Sequence, residues 1–318
     1  MIAFVFPGQG SQHVGMGRAL ADAFPVCRDT FAEADAALGE PLSRICFEGP
    51  EEQLALTENT QPAVLTVSTA AHRLLTSLGA VPAFVAGHSL GEYSAHVAAG
   101  TLSFADALRI VRHRGRYMQD AVPVGDGAMA AVLGLDVEAV ARACTEAAGG
   151  ATVGVANLNG PGQVVIAGHG AAVRRAGERA RALGARRVIP LPVSAPFHCE
   201  LMKPAEERLA PELRALNTRD PRVPVVANVD GELKCDATAA IEALVAQVSS
   251  PVRWEAVIRR LASEGVTTYV EVGPGTVLAG LVRKIEPHAL TLNLGVPEDL
   301  KKLDPVLTRG GAPSSGRL

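Results

Sequence analysis

A serine lies between two glycines in the stretch GHSLGEY, residues 87–93. The Gly-x-Ser-x-Gly spacing is typical of a nucleophilic serine held on a tight turn between a strand and a helix. The apolar run AFVA precedes the motif, and a helix is predicted from Leu90 onward. Both glycines are expected because side chains there would clash with the neighbouring strand and helix. Ser89 is therefore a candidate nucleophile, although an inert serine in a glycine-rich turn has the same local pattern.

The predicted helix after Ser89 also supplies a candidate oxyanion site. The first N–H groups of a helix have no partner inside that helix, and here they point toward the serine. The N–H of Leu90 is therefore expected to stabilise the negative oxygen that forms when Ser89 attacks a carbonyl.

A serine nucleophile needs a proton acceptor, and the sequence offers eight histidines. His88 adjoins Ser89, and neighbouring side chains on a tight turn diverge, so His88 is a poor candidate. His96 and His113 are predicted to lie on helices. His198, in SAPFHC, stands where the chain returns from an inserted segment, and its ring could hang over a cleft. An ordinary loop histidine remains an equally open interpretation.

The elements around these residues alternate between apolar strands and helices. Strands are predicted at IAFVF, AFVAGH, VPVVAN and TTYVEV, which is typical of a parallel sheet covered on both faces. One helix is predicted with Pro62 in its first turn and Gly79 at its end, and another begins at Ser103 with Asp106 as a capping partner. A last helix follows the turn GPG of EVGPG.

The middle of the chain has a different order of elements. From Gly127, the patterns predict β-α-β-β-α-β, which is the split βαβ arrangement of ferredoxin-like domains. The sequence therefore predicts a discontinuous large α/β domain of residues 1–124 and 196–307 and a small inserted domain of residues 125–195. Residues 308–318, GGAPSSGRL with its preceding Thr and Arg, are expected to be a disordered tail.

Composition excludes several classes of function. Of the 318 residues, 48% are hydrophobic and 20% charged, so the chain can form a core, and a net charge of −3 argues against nucleic acid as a partner. Five scattered cysteines favour reduced thiols over disulfides, and the Cys, His and carboxylate spacings predict no metal site. The beginning MIAFVFPGQG lacks the features of a signal peptide, and no apolar run approaches the ~20 residues that span a bilayer. A cytoplasmic monomer without a membrane segment is expected.

Seven motifs occur in order along residues 1 to about 295. They are FVFPGQGSQHVGMG, GHSLGEYSA, RGRYMQDAVPVGDGAMAAVLGL, ANLNGPGQVVIAG, SAPFHCELMKPA, QVSSPVRW and EVGPG. Together they resemble the malonyl-CoA:acyl carrier protein transacylases, acyltransferases of fatty-acid and polyketide synthesis. The resemblance implies a large hydrolase-like α/β domain, with a mostly parallel sheet and helices on both faces, and a ferredoxin-like insertion.

The resemblance also assigns roles to the catalytic candidates. It implies that Ser89 is the nucleophile and His198 the general base, in a dyad rather than a triad. The main-chain carbonyl of Gln247 would hold the far nitrogen of the imidazole, as a carboxylate does in a triad. The N–H of Gln9, in PGQG, would complete the oxyanion hole with Leu90. A dinucleotide-binding interpretation of GQGSQHVG fails because G-x-G-x-x-G would require glycine at His13.

Two further residues would select the acyl group. The resemblance implies that Arg114 binds the free carboxylate of a malonyl group, for which two parallel N–H donors of a guanidinium are suited. Without the resemblance, Arg112, Arg114 and Arg116 would be interpreted as a solvated basic face. Phe197 matches a position associated with malonyl over methylmalonyl selection, a steric filter worth only ~1–3 kcal/mol, and it could equally be filler.

The function implied is transfer of malonyl from malonyl-CoA to the phosphopantetheine thiol of acyl carrier protein, by a ping-pong route without a bound cofactor. Alternatives are a trans-acting acyltransferase that loads polyketide synthase carrier domains, and a serine thioesterase or esterase with the same dyad. A non-catalytic acyl-binding domain would require loss of Ser89 or His198. Residues 173–187 carry six arginines against one glutamate, which could form a docking surface for an acidic carrier protein or a solvated helix face.

Overall fold

The computed structural model describes residues 1–123, 125–193 and 195–307. Its strands are β1 (Ile2–Phe6), β2 (Phe84–Gly87), β3 (Gly127–Leu133), β4 (Val153–Gly160), β5 (Gln163–His169), β6 (Arg187–Pro190), β7 (Val225–Val226), β8 (Leu233–Lys234), β9 (Thr268–Val272) and β10 (Leu290–Leu294).

The helices surround two sheets. They are α1 (Arg18–Ala23), α2 (Pro25–Leu38), α3 (Leu42–Glu48), α4 (Glu51–Ala55), α5 (Thr57–Ser77), α6 (Leu90–Ala99), α7 (Phe104–Asp120), α8 (Val137–Ala147), α9 (Gly170–Ala182), α10 (Lys203–Arg214), α11 (Ala237–Gln247), α12 (Trp254–Ser263), α13 (Val277–Ile285) and α14 (Asp304–Leu307), with 3-10 turns at Glu200–Met202 and Pro297–Lys302.

The larger sheet has the strand order β10-β9-β1-β2-β7-β8, and it is parallel except for β8. Its two middle strands, β1 and β2, consist of apolar residues and one glycine, as the sequence predicts for strands with helices on both faces. β1 and β2 are neighbours, and Phe6 pairs with Gly87. The loops that follow these two strands, carrying Gln9 and Ser89, therefore leave the sheet side by side.

The smaller sheet is antiparallel with the order β4-β5-β3-β6, the order of a ferredoxin-like fold. Helices α8 and α9 cover one of its faces. The other face, with Met129 and Val165, packs into the core of the larger sheet's helices. The α/β fold class with this second small sheet is confirmed. The exact domain limits at 124/125 and 195/196 stay a prediction, and the tail at 308–318 lies outside the described residues.

Main-chain hydrogen bonds join the smaller sheet to the rest of the chain. The N–H of Leu158 in β4 donates to the carbonyl of Val252 at 2.8 Å, and the N–H of Val252 donates to Ala156 at 2.9 Å. Val252 precedes α12 and follows the segment 247–250, which lies at the candidate site. The edge of the small sheet is thus bonded to the chain beside that site.

Two elements differ from the sequence prediction. Helix α5 begins at Thr57, so Pro62 lies inside it rather than in its first turn. Because proline has no N–H, α5 lacks the hydrogen bond that residue 62 would otherwise donate to the Glu58 carbonyl. The helix after EVGPG is not the last element, since β10 pairs with β9 along the sheet edge.

Candidate active site

Ser89 occupies a strained turn between β2 and α6. Its backbone has φ 52° and ψ −110°, a conformation that L-residues rarely adopt. A Cβ on Gly87 would lie 1.9 Å from the Gly91 carbonyl, and one on Gly91 would lie 2.0 Å from the Phe6 carbonyl. Both glycines are therefore required by close backbone approach. The Ser89 N–H donates to Asn228 Oδ1 at 2.7 Å, which helps to hold the turn.

His198 meets Ser89 across 109 residues of sequence, with Nε2 at 2.6 Å from Oγ. The His198 ring is 3% exposed, and its Nδ1 lies 3.0 Å from the Gln247 carbonyl. Because a carbonyl only accepts, Nδ1 carries the proton and Nε2 is free to accept from Ser89. Within the described ranges 1–123, 125–193 and 195–307, Ser89 and His198 are the non-glycine residues with positive φ.

The surroundings of His198 keep its ring neutral. Burial, together with the positive charge of Arg114, lowers the pKa of His198 from 6.5 to about 3, although the bond to the Gln247 carbonyl acts in the opposite direction. The imidazole is thus an unprotonated acceptor at neutral pH. The same cation opposes the imidazolium that proton transfer from Ser89 would create.

His88, His96 and His113, which the sequence made weaker candidates for the base, do not bond to Ser89 in the structure. His88 Nε2 lies 2.8 Å from Asn159 Oδ1 in β4, and its ring packs 5.5 Å from that of Trp254. His96 is buried in α6, and His113 lies 2.6 Å from Glu212 at the surface. His88 and His113 therefore bond to groups other than Ser89, and the ring nitrogens of His96 have no hydrogen-bond partner among the described residues.

Arg114 is buried, with 1% exposure, and it points into the same place. Its Nη1 donates to Gln61 Oε1 at 2.9 Å, and its Nη2 donates to Gln247 Oε1 at 2.8 Å and to Ser89 Oγ at 3.3 Å. The guanidinium also lies 5.4 Å from the centre of the Tyr93 ring. The alternative of a solvated basic face is wrong for Arg114, whereas Arg116 is exposed and pairs with Glu58.

Gly115 explains how α7 brings Arg114 so close. A Cβ on Gly115 would lie 2.7 Å from the Thr57 carbonyl and 2.8 Å from Glu58 Cα. The glycine therefore lets α7 approach the beginning of α5, which also carries Gln61. Glycine in the interior of a helix lowers its stability by roughly 1 kcal/mol relative to alanine, so the close approach of α7 to α5 has a cost.

The side chains of Ser89, Arg114 and His198 line a cavity of about 760 Å³. Gln9 and Leu90 line the same cavity beside Ser89, and Phe197 lines it with Met118, Met129, Leu191 and Val193. The structure thus brings together the residues predicted to form the oxyanion hole, to act as nucleophile and base, to bind the malonyl carboxylate and to select the acyl group. Their chemical roles stay predictions.

A family model described as the acyl transferase domain matches residues 3–289. The chain belongs to the acyl transferase domain family. It is 53% identical over 284 residues to the malonyl CoA-acyl carrier protein transacylase of Escherichia coli strain K12, covering 89% of this chain and 92% of that one. It also resembles the crystal structure of an acyl carrier protein S-malonyltransferase from Vibrio cholerae, with 46% identity, a TM-score of 0.93, and 95% and 99% of the two chains covered.

A third similar structure is a complex, described as a type II PKS acyl-carrier protein with its malonyl-transacylase. Here the identity is 47% and the TM-score 0.93, over 95% of this acyl transferase chain and 98% of the other. These relatives match the chain over nearly its whole length. The likeness therefore includes both sheets.

Sequence reasoning did not find four groups at the acyl transferase site. These are Gln61, Glu92, Asn228 and the side chain of Gln247, of which only the main chain was implicated. Glu92 gave one signal, because it is the single charged residue in the otherwise neutral, mostly apolar helix LGEYSAHVAA. Gln61, Asn228 and Gln247 are amides in ordinary surroundings, and their sequence context indicates nothing.

The basic stretch of the acyl transferase at 173–187 is partly used inside the small sheet's own helices. Arg175 donates to the carbonyls of Ala147 and Ala148 at the end of α8, and Arg179 pairs with Glu146. These contacts join α9 to α8 on the face of the small sheet that points away from the cavity. Arginines with such structural bonds are poor choices for testing docking by charge reversal.

Two kinds of feature are absent from residues 1–123, 125–193 and 195–307. No helix there is long and apolar enough to cross a membrane. No cluster of three or more His, Cys, Asp or Glu side chains there could hold a metal ion.

Proposed function

We propose that the chain transfers a malonyl group from malonyl-CoA to the phosphopantetheine thiol of an acyl carrier protein, through a malonyl ester on Ser89, and so supplies fatty-acid synthesis. The observation that carries this proposal is the position of Arg114 Nη2, 3.3 Å from the Ser89 hydroxyl. One methylene separates the thioester carbonyl of malonyl from its carboxylate. A cation that anchors so short a diacid has to lie within a few ångströms of the nucleophile, as this one does.

In the first half-reaction, the malonyl carboxylate pairs with Arg114, and Ser89 Oγ attacks the thioester carbon while its proton passes to His198 Nε2. The N–H groups of Gln9 and Leu90 stabilise the oxyanion. The carbon–sulfur bond then breaks, and His198 returns the proton to the sulfur of coenzyme A. A malonyl ester remains on Ser89.

In the second half-reaction, the phosphopantetheine thiol replaces coenzyme A. His198 accepts the thiol proton, the sulfur attacks the ester carbon, and the carbon–Oγ bond breaks. The proton returns from His198 to Ser89 Oγ, which restores the free enzyme. The apolar wall with Phe197 and Met118 receives the methylene of the acyl group, and Phe197 restricts an added methyl.

The experiment that tests this proposal offers the protein malonyl-, methylmalonyl-, acetyl- and succinyl-CoA and measures the intact mass of the protein. Malonyl should load to the greatest extent, because acetyl lacks the carboxylate and succinyl places it one methylene too far. Preferential loading of acetyl would contradict the assigned role of Arg114.

A serine thioesterase is the second candidate, since the Ser89–His198 pair does not by itself exclude water. Free malonate and malonyl-carrier protein are therefore measured together at saturating carrier protein. Malonyl-carrier protein should be the main product, and malonate as the main product would favour the hydrolase. Fatty-acid and polyketide carrier proteins can be compared in the same assay, which would separate the polyketide alternative.

A further inference from the structure

Gln247 connects the three groups that the proposed reaction uses, through both its main chain and its side chain. Its main-chain carbonyl holds His198 Nδ1 at 3.0 Å, and its Oε1 accepts from Arg114 at 2.8 Å. Its Nε2 donates to the Ser89 carbonyl at 2.9 Å and to Glu92 Oε2 at 2.7 Å. One residue therefore contacts the base, the anchoring cation and the turn of the nucleophile.

The orientation of the Gln247 amide decides whether these contacts can form together. The two ends of an amide have nearly the same shape, so hydrogen-bond partners determine which end is the oxygen. Arg114 offers only donors, and an ionised Glu92 offers only acceptors. A flipped amide would direct N–H groups at the guanidinium and an oxygen at the carboxylate, and both contacts would be repulsive.

Glu92 is placed to impose this orientation. It is fully buried, one helical turn after Ser89, and its Oε2 accepts from Gln247 and from the Asn228 N–H at 3.1 Å. Its Oε1 has no hydrogen-bond partner among the described residues. Burial raises the pKa of Glu92 to about 7, so the carboxylate is costly to keep here. The two hydrogen bonds that Oε2 accepts require an oxygen at this position, which packing alone would not.

We propose that Glu92 is a positioning residue for the transfer reaction, whose carboxylate fixes the Gln247 amide so that Gln247 holds His198 through its carbonyl and Arg114 through Oε1. This inference rests on the proposed function. Its effect is unequal for different substrates. Loss of the orientation disturbs His198 for every acyl group, but it disturbs Arg114 only for substrates with a free carboxylate.

The test measures malonyl and acetyl loading by intact mass in Glu92→Leu, Glu92→Gln and wild type. Glu92→Leu should lose roughly 100-fold in malonyl loading, as expected for a misplaced reacting group, and it should lose less in acetyl loading. Glu92→Gln keeps an acceptor oxygen for Gln247, so it should stay within about tenfold of wild type, as a neutral acceptor replaces a charged one.

The matched control is Glu271→Leu, which removes another fully buried carboxylate. Glu271 accepts the N–H groups of Leu278 at 3.1 Å and Ala279 at 2.7 Å, at the beginning of α13 and outside the active site. This control should lower the melting temperature without changing the malonyl-to-acetyl ratio. A Glu92→Leu variant that changes stability but not that ratio would overturn the proposal.

A second variant keeps the test valid if Glu92→Leu does not fold. Gln247→Met retains the main-chain carbonyl and removes the amide, and it should reproduce the fall in the malonyl-to-acetyl ratio. If Glu92 acts through Gln247, adding Glu92→Gln to Gln247→Met should cause no further loss, and an additive loss would contradict the proposal. Absence of loading in wild type would instead refute the proposed function itself.

Discussion

Replacing Arg114 by methionine tests the link between the buried cation and the choice of substrate. Methionine retains most of the apolar volume but leaves a bound malonyl carboxylate without its partner. Breaking a buried ion pair on one side costs about 3–5 kcal/mol, which corresponds to roughly 10²–10⁴ in kcat/KM. Malonyl loading should fall by that factor.

Acetyl loading should change by less than about tenfold in the same variant, because acetyl makes no ion pair with the guanidinium. The positive charge of Arg114 lowers the pKa of His198, so its removal raises that pKa. A base with a higher pKa becomes protonated at a higher pH. The acidic limb of the pH profile for acetyl loading should therefore move to higher pH.

The assay is the rate of acyl-enzyme formation from each thioester, followed by intact mass in rapidly quenched samples between acidic and neutral pH. Arg116→Met is the matched control, since Arg116 is on the same helix but exposed and paired with Glu58. It should load both acyl groups as wild type does. Equal losses of malonyl and acetyl loading in Arg114→Met would refute the reasoning and make Arg114 a structural residue.

Three further predictions concern other residues of the cavity. Ser89→Ala should form no malonyl adduct in intact mass, and a persistent adduct would place the nucleophile elsewhere. Phe197→Ala should raise the methylmalonyl-to-malonyl loading ratio by about tenfold or more, the value of a steric filter of this size; an unchanged ratio would make the ring filler. Burial raises the pKa of Glu92 from 4.5 to about 7, so the folded state retains a proton that the unfolded state loses between these pH values. The free energy of unfolding of the wild type, measured by urea unfolding relative to Glu92→Gln, should therefore fall by on the order of 3 kcal/mol as pH rises from 4.5 to 7. If the difference between the two proteins does not change with pH, the Glu92 carboxyl does not titrate in this range.

The nucleophile turn could be predicted from the sequence because its constraint is local. Gly87 and Gly91 are required by backbone atoms within a few residues of Ser89, or on the adjacent strand, so the motif contains its own steric cause. The cap of α7 was predictable for the same reason, and the Ser103 side chain does accept the Asp106 N–H at 3.1 Å.

The partners of the turn were harder to predict because they come from distant elements. His198 precedes α10 and Gln247 is the last residue of α11, so both are far from Ser89 in sequence, and the resemblance to known acyltransferases was needed to select them. Glu92 could not be assigned a partner, because its contacts depend on how α11 packs against α6. The order of residue types along the chain does not indicate the distance between Glu92 and Gln247.

Strand β10 and helices α1 to α4 could not be predicted from the sequence for a different reason. The strand β10 has the alternating sequence LTLNL, but its signal is short and follows a helix that appeared to complete the fold. Helices α1 to α4 are mostly short, and their apolar spacing extends over too few turns to stand out. Only the packed core around them makes such short helices stable.

The bonds between β4 and Val252 limit how the cavity can adapt. The small sheet forms one wall of the cavity, and Val252 is connected by a short segment to the Gln247 carbonyl that accepts from His198 Nδ1. A movement of the small sheet that made room for a bulkier acyl chain would also move the Gln247 carbonyl, which holds His198. We therefore expect that widening of the cavity would displace the proposed proton acceptor, which would disfavour large acyl groups in addition to any direct steric clash.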